Sequence, residues 1–80
     1  MHIVYVIQSE EGKRYIGYSE DLAKRLEQHN TGVSKWTAKY KGWKIIYTEK
    51  YETRTEALKR ERYLKSLKSG NKFREIITGS

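Results

Sequence analysis

A carboxylate in the C-terminal half of this 80-residue chain lies where the pattern of apolar residues predicts a buried position. At 100° per residue, Glu61 falls on the same stripe of a predicted helix as Ala57 and Leu64. A carboxylate on a core-facing stripe has to be protonated, paired with a cation or bound to a metal ion. The pattern alone leaves two interpretations open, which are an ion pair with a neighbouring Lys or Arg and a metal site.

Arg25 and His29 are four residues apart, so both are expected to project from one side of another predicted helix. The planar guanidinium of arginine matches the oxygens of a phosphate group, and histidine transfers protons near neutral pH. Together the two side chains suit chemistry at a phosphate. An ordinary solvated flank of the helix is the alternative interpretation.

Two tyrosines are predicted to lie side by side on an N-terminal β-hairpin. If the hairpin turns at Glu10, Tyr5 and Tyr15 face each other across the two strands. The alternative to a catalytic role is a stacked pair that stabilises the hairpin by about 0.5–1 kcal/mol. Gly17 is unusual inside a strand, and it predicts close approach of a ligand or another segment to the backbone.

The charge distribution predicts a surface that faces a polyanion, most commonly nucleic acid. Seventeen Lys and Arg against ten Asp and Glu give a net charge of +7, of which residues 41–80 carry +6. A solubilising basic surface is the alternative. Basic and aromatic residues also alternate after the first predicted helix. The basic residues suit phosphate contacts, and the aromatic residues suit either stacking on bases or packing in the core. The predicted nucleic-acid contacts are Gly17, Lys35, Trp36, Lys39, Tyr40 and, one turn after Glu61, Lys65.

These residues are carried by a predicted single α+β domain that spans residues 1–80. The predicted order β-β-α-β-α-α gives a small three-stranded, mainly antiparallel sheet flanked by helices. Ser19 is predicted to cap the first helix, and a capping box at residues 53–56 is predicted to begin the second. Asn71 is predicted to cap the last helix. The strands are predicted at residues 3–7, 14–18 and 43 to about 51, and the first two helices end at residues 30 and 68.

Composition excludes several classes of protein. Without cysteine the chain has neither a disulfide scaffold nor a cysteine-based zinc finger. No apolar run approaches the roughly 18 residues that span a bilayer, and the apolar start of the chain is too short for a signal peptide. We therefore expect a cytoplasmic protein that does not bind a membrane.

The candidate residues resemble the GIY-YIG nuclease family, most closely its small stand-alone bacterial members. The triplet that ends in Tyr5 and the triplet Tyr15-Ile16-Gly17 are similar to the two motifs that name the family. Arg25, His29 and Glu61 follow in the family's order. The resemblance covers about residues 2–77, and five matched elements in order are far more specific than either triplet.

The sequence departs from the family pattern at two places. Ile3 and Val4 stand where the first motif has Gly and Ile, which is a conservative change in a strand because only the tyrosine carries chemistry. Many members also have a C-terminal Asn near the site. Asn71 is the nearest candidate here, but its spacing from Glu61 does not match clearly, so it is left out of the predicted site.

The resemblance implies an endonuclease that hydrolyses phosphodiester bonds in DNA, with branched or damaged structures as candidate substrates. Glu61 would hold Mg²⁺ or Mn²⁺, and Arg25 would clamp the scissile phosphate. Tyr5 or Tyr15 would position or deprotonate the attacking water, assisted by the other tyrosine and by His29. The alternatives are a non-catalytic nucleic-acid-binding module of the same fold and a basic structural domain, neither of which needs this set of residues.

Overall fold

The computed structural model describes residues 1–30, 40, 42–67 and 70–78. The predicted order β-β-α-β-α-α, the α+β class and the antiparallel three-stranded sheet are confirmed. The predicted end of the second helix at Lys68 lies outside the described residues. Within them, no helix has the length and apolar character that crossing a bilayer requires. The elements are β1 (His2–Gln8), β2 (Arg14–Ser19), α1 (Leu22–Asn30), β3 (Lys44–Tyr51), α2 (Arg54–Leu67) and α3 (Asn71–Thr78).

The central strand of the sheet is β1, with β2 and β3 paired to it in antiparallel orientation on either side. Its run of β-branched and aromatic residues suits a strand that is covered on both faces. Val4 and Val6 point to one face of the sheet. There they form the larger part of the core with Ala57 and Leu64 of α2 and Phe73 of α3.

The opposite face of the sheet carries the two motif tyrosines. Tyr5 and Ile7 of β1 pack there with Trp43, which precedes β3. Leu22 and Leu26 of α1 cover this second, smaller part of the core. Alternation of side chains along β1 therefore separates a structural face from the face that holds the candidate chemistry.

The register of the hairpin differs from the prediction by two residues. Tyr5 lies opposite Gly17 and Tyr15 lies opposite Ile7, so the predicted direct pairing of Tyr5 with Tyr15 is wrong. A shift of two residues keeps each side chain on its face of the sheet. The two tyrosines are therefore diagonal neighbours on one face rather than direct partners.

The turn of the hairpin explains this register. Ser9 N donates to Lys13 O at 2.8 Å, and Gly12 N donates to Ser9 O at 3.0 Å. Gly12 has a φ of 85°, which a residue without a side chain adopts at little cost. The turn is therefore centred on Glu11 rather than on Glu10, and each cross-strand partner moves by two residues.

The start of α1 also differs from the prediction. Asp21 caps the helix instead of Ser19, because Asp21 Oδ1 accepts a hydrogen bond from Lys24 N at 3.2 Å. Ser19 Oγ accepts from Asp21 N at 3.0 Å, which fixes the turn ahead of the helix. The predicted cap of α2 is confirmed, since Thr53 Oγ1 accepts from Glu56 N at 3.2 Å.

Candidate active site

Tyr5 is the centre of a hydrogen-bonded cluster on the α1 side of the sheet. Its side chain is fully buried, and its hydroxyl shares a hydrogen bond of 2.9 Å with His29 Nε2. The Arg25 guanidinium interacts with the hydroxyls of Tyr5 and Tyr15, and this interaction opposes the rise in the pKa of Tyr5. The Tyr15 ring centroid lies 6.3 Å from that of Tyr5 and 4.7 Å from that of His29. Four of the five residues predicted to be catalytic therefore meet.

The C-terminal half of α1 delivers the arginine and the histidine. His29 points inward and is 1% exposed, whereas Arg25, one turn earlier, lies at the surface. The end of the helix is fixed by Asn30, whose Oδ1 accepts from Trp43 N at 2.9 Å and whose Nδ2 donates to Trp43 O at 3.3 Å. The sequence analysis missed this role of Asn30. It holds the last turn of α1, and with it His29, against the start of β3.

Gly17 is explained by the side chain of Tyr5. The two residues are cross-strand partners, and Gly17 is buried. A Cβ added at Gly17 would overlap the ring and hydroxyl of Tyr5 and crowd the ring of Tyr15. The close approach expected at Gly17 is therefore made by Tyr5, and contact of Gly17 with nucleic acid stays a prediction.

Burial sets the protonation states of this cluster. It raises the pKa of Tyr5 to about 12; the Arg25 hydrogen bond opposes this shift, and the charges of Tyr15 and Glu61 add to it. Burial and the Arg25 charge together lower the pKa of His29 below its usual value. At neutral pH the cluster therefore contains a protonated phenol, a neutral imidazole and a guanidinium cation.

Glu61 acts on the cluster from α2, which covers the other face of the sheet and contacts both β1 and β2. Its side chain is 19% exposed, and its charge is one of those that raise the pKa of Tyr5. Oε1 lies 3.3 Å from Nζ of Lys65, which is 52% exposed. The ion pair that the sequence left open is therefore present, but with a partner at the surface.

The donor chemistry of Glu61 fits a magnesium or manganese ion. Mg²⁺ keeps several of its waters and takes one or two carboxylates from a protein. Among the described residues Glu61 has one ion-pair partner, on Oε1, and no group of three His, Cys, Asp or Glu could enclose a metal ion. The residue therefore suits a largely hydrated ion and does not suit a metal caged by protein ligands.

Comparison with known proteins identifies the family. The family model described as the GIY-YIG catalytic domain matches residues 1–74. This chain belongs to the GIY-YIG family. The resemblance inferred from the sequence is confirmed, and the family is one of nucleases.

Relatives of this GIY-YIG chain share its length and fold. UPF0213 proteins from Staphylococcus aureus strains N315 and MW2 are 40% identical to it over 76 residues, which covers 94% of this chain and 93% of each relative. The solution NMR structure of the UPF0213 protein from Bacillus halodurans is similar, with a TM-score of 0.59 at 25% identity. That similarity covers 98% of this chain and 82% of the other. The name UPF0213 states no reaction.

A second carboxylate of the GIY-YIG domain is saturated with partners. Glu49 accepts hydrogen bonds from Arg60 Nε at 2.9 Å and Nη2 at 3.1 Å, and from the hydroxyls of Tyr47 and Tyr51. Burial raises its pKa, but these hydrogen bonds hold the pKa of Glu49 below its usual value. Glu49 therefore joins β3 to α2. The sequence analysis missed it, although Tyr47, Glu49 and Tyr51 share one face of β3 through their alternate spacing.

Arg25 connects the buried cluster with an open cleft of about 310 Å³ at the start of α1. Gln28, which also lines the cleft, accepts a hydrogen bond from Arg25 Nη1 at 3.3 Å. A side chain that binds an external phosphate has to contact both the tyrosines and a space open to solvent, and Arg25 does so. The other lining residues are Ser19, Glu20, Asp21 and Lys24.

Only part of the predicted nucleic-acid surface falls on described residues. The Tyr40 ring packs edge-on against Trp43, with centroids 6.2 Å apart, and Lys13 Nζ lies 5.9 Å from the Tyr40 centroid. Tyr40 therefore takes part in core packing, and stacking on a base stays a prediction. The predicted contacts at Lys35, Trp36 and Lys39 lie outside the described residues.

Proposed function

We propose that this GIY-YIG domain is a metal-dependent endonuclease that hydrolyses phosphodiester bonds in DNA, at branched or damaged structures. The observation that carries the proposal is the shared contact of the Tyr5 hydroxyl with Arg25 and His29. This contact combines a phosphate-binding cation and a proton acceptor at one buried hydroxyl. A cytoplasmic location is proposed as well, supported by the absence of cysteine from the sequence.

Tyr5 and His29 together offer a path for the proton of the attacking water. A phenol with a pKa of about 12 stays protonated at neutral pH, so Tyr5 has to pass on its own proton to accept another. Arginine has donors only, so the Tyr5 oxygen accepts from Arg25 and its proton is available to His29 Nε2. The neutral imidazole receives it. Tyr15, whose ring lies against His29, is the other candidate for contact with the water.

Arg25 and Glu61 supply the electrostatic part of the mechanism. From the cleft, the guanidinium would bind the scissile phosphate and stabilise the charge that develops on its oxygens. Glu61 would hold the Mg²⁺ or Mn²⁺ ion, which when bound neutralises phosphate charge and lowers the pKa of its waters. Electrostatic stabilisation by Arg25 and Glu61 would then accompany proton transfer from the Tyr5 hydroxyl to His29.

A cleavage assay with labelled branched, duplex and single-stranded DNA tests the proposal. Cleavage is expected in Mg²⁺ or Mn²⁺ and not in EDTA, and branched DNA should be cut fastest. A Tyr5→Phe, His29→Gln double variant, purified in parallel, controls for contaminating nucleases. A cooperatively folded wild-type protein that cuts none of these substrates in either metal would contradict the enzymatic proposal.

A non-catalytic nucleic-acid-binding module is the second candidate. The charge of +6 on residues 41–80 favours it, because binding alone makes use of such a surface. Binding by itself gives no reason for a half-buried carboxylate whose charge acts on Tyr5. Cleavage that depends on the metal and on Glu61 therefore separates the two candidates.

DNA binding is expected to weaken steeply with salt for either candidate. Each phosphate contact lowers log K by about 0.7–0.9 per unit of log salt concentration, so four contacts give a slope of about −3. Fluorescence anisotropy in EDTA, between low and physiological salt, measures the slope. A Kd that stays constant over this range would contradict a polyanion-facing surface.

Cleavage is expected to fall as the pH decreases through the pKa of His29. Burial and the Arg25 charge hold this pKa below the usual 6.5, and protonation removes the acceptor for the Tyr5 proton. Stability should follow the same direction, because the unfolded chain binds the proton more readily than the buried imidazole. The stability that neutral His29 contributes is therefore complete above pH 6.5 and is lost as the pH falls through the folded-state pKa.

Urea unfolding and kcat, both measured from about pH 7 to about pH 5, check this prediction. His29→Gln should flatten the decline in the free energy of unfolding, and His2→Gln, which removes the other histidine, should preserve it. Titration of Glu49 stays outside this window because its pKa lies below 4.5. An undiminished decline in His29→Gln would mean that another group is responsible.

A further inference from the structure

Lys65 forms an ion pair with Glu61, the carboxylate proposed to bind the metal ion. Its Nζ lies 3.3 Å from Glu61 Oε1, from a position one turn later on the same side of α2. The lysine is 52% exposed and the carboxylate is 19% exposed. The ammonium therefore approaches Glu61 from the solvent side, which is also the side from which a hydrated ion would reach it.

The Glu61–Lys65 pair is weaker than the other carboxylate pair that α2 makes. Arg60 binds Glu49 through two nitrogens, and two tyrosine hydroxyls complete that carboxylate's hydrogen bonds. Lys65 contacts one oxygen with a mobile ammonium on a flexible four-carbon stem. Exposed pairs at this spacing contribute little to stability. The ammonium can therefore leave Glu61 without disturbing the helix, whereas Arg60 cannot leave Glu49.

We propose that Lys65 is a displaceable counterion, which neutralises Glu61 in the metal-free protein and moves to a DNA phosphate when the metal ion takes its place. The proposal rests on the metal-dependent nuclease function proposed above. Two cations on one carboxylate repel each other, so metal binding favours release of the ammonium. Lys65 lies one turn of α2 after Glu61, so the released ammonium would stay close to a metal ion held by Glu61 and to a phosphate bound to that ion. Lys65 therefore couples metal binding to DNA binding, and each favours the other.

Mn²⁺ binding to the DNA-free protein tests the competition directly. The signal of free Mn²⁺ in electron paramagnetic resonance gives the affinity of the wild type, Lys65→Met and Lys59→Met. Lys65→Met removes the competing charge and keeps the stem, so Mn²⁺ affinity should rise about two- to fivefold. Lys59→Met removes the same charge from an exposed position on the opposite side of α2, and it should leave the affinity nearly unchanged.

DNA affinity with and without Mn²⁺ tests the coupling. The measurement uses duplex DNA and a Tyr5→Phe background, in which slowed cleavage keeps the DNA intact. In EDTA, where Lys65 is paired with Glu61, Lys65→Met should reduce DNA affinity only slightly. In Mn²⁺, where the ammonium is free to bind phosphate, the same substitution should reduce DNA affinity about three- to tenfold. Lys59→Met should change DNA affinity by one and the same factor in EDTA and in Mn²⁺. An equal loss for Lys65→Met in both solutions would overturn the proposal, because Lys65 would then be an ordinary phosphate contact.

The possible failures are distinguishable. If the wild type binds Mn²⁺ and cleaves DNA, but Lys65→Met leaves the Mn²⁺ affinity unchanged, the displacement is wrong and the nuclease function stands. If the wild type binds no Mn²⁺ without DNA but cleaves DNA in Mn²⁺, only the displacement is wrong. If it cleaves DNA in neither Mg²⁺ nor Mn²⁺, both proposals are wrong. Thermal unfolding of Lys65→Met close to that of the wild type, as expected for an exposed position, establishes that either result reports on the folded protein.

Discussion

Replacing Glu61 with glutamine is expected to abolish metal-dependent DNA cleavage and to leave the fold intact. Glutamine keeps the size and removes the charge, so the proposed metal ion would lose its protein ligand and cleavage should fall by about 100-fold or more. Mn²⁺ affinity should be lost together with activity, which resonance titration and cleavage assays measure separately. DNA affinity in EDTA should hold or rise, because a negative charge beside the phosphates has been removed.

Thermal unfolding separates this result from a structural role of Glu61. A fully buried ion pair costs about 3–5 kcal/mol when one partner is removed. Because Lys65 is 52% exposed, Glu61→Gln should change the free energy of unfolding by only about 0.5 kcal/mol or less. Glu49→Gln is the matched control, expected to cost about 2 kcal/mol or more by breaking the Arg60 contact while Mn²⁺ affinity stays unchanged. A destabilised Glu61→Gln protein that still cleaves DNA would defeat the catalytic assignment.

The two motif tyrosines show which part of a strand pair can be predicted from the sequence. That Tyr5 and Tyr15 share a face was predicted from the alternation of side chains, and it survives because the register is shifted by two residues rather than by one. The residue opposite Tyr5 depends on where the turn is centred, which the hydrogen bonds of Ser9 and the φ of Gly12 decide. A turn of six polar residues offers several such arrangements, so the pairing of Tyr5 with Gly17 could not be derived from the pattern.

The carboxylates of Glu61 and Glu49 also show which features of a site the sequence predicts and which it does not. Helical periodicity placed Glu61 on the core-facing stripe of α2 with Ala57 and Leu64, and its side chain is 19% exposed whereas theirs are fully buried. Its partner depends on side-chain geometry, so the sequence could not decide between a cation and a metal ion. Glu49 was missed because Arg60 reaches it across 11 residues of chain, by a crossing of α2 and β3 that periodicity does not determine. Ser19 and Asp21 are both good helix caps, and only the hydrogen bond to Lys24 N distinguishes them.

Replacing Arg25 with lysine is expected to lower cleavage by about 100-fold while the protein still binds DNA. Lysine keeps the positive charge that attracts the phosphate backbone, so the Kd for DNA should change by no more than about threefold. Its ammonium has no planar fork, so it cannot bind a phosphate through two parallel hydrogen bonds and also hold the hydroxyls of Tyr5 and Tyr15. The loss should therefore appear in kcat rather than in KM.

Arg54→Lys is the matched control for this prediction, because Arg54 is an exposed arginine at the first position of α2. It makes the same chemical change away from the tyrosines, and its kcat should equal that of the wild type. Arg25 is itself at the surface, so Arg25→Lys should unfold at nearly the wild-type temperature. A reduced kcat in a normally stable protein then places the guanidinium at the reacting phosphate. Wild-type kcat in Arg25→Lys would instead make Arg25 a surface cation, and the contact of Tyr5 with His29 would no longer support phosphate chemistry.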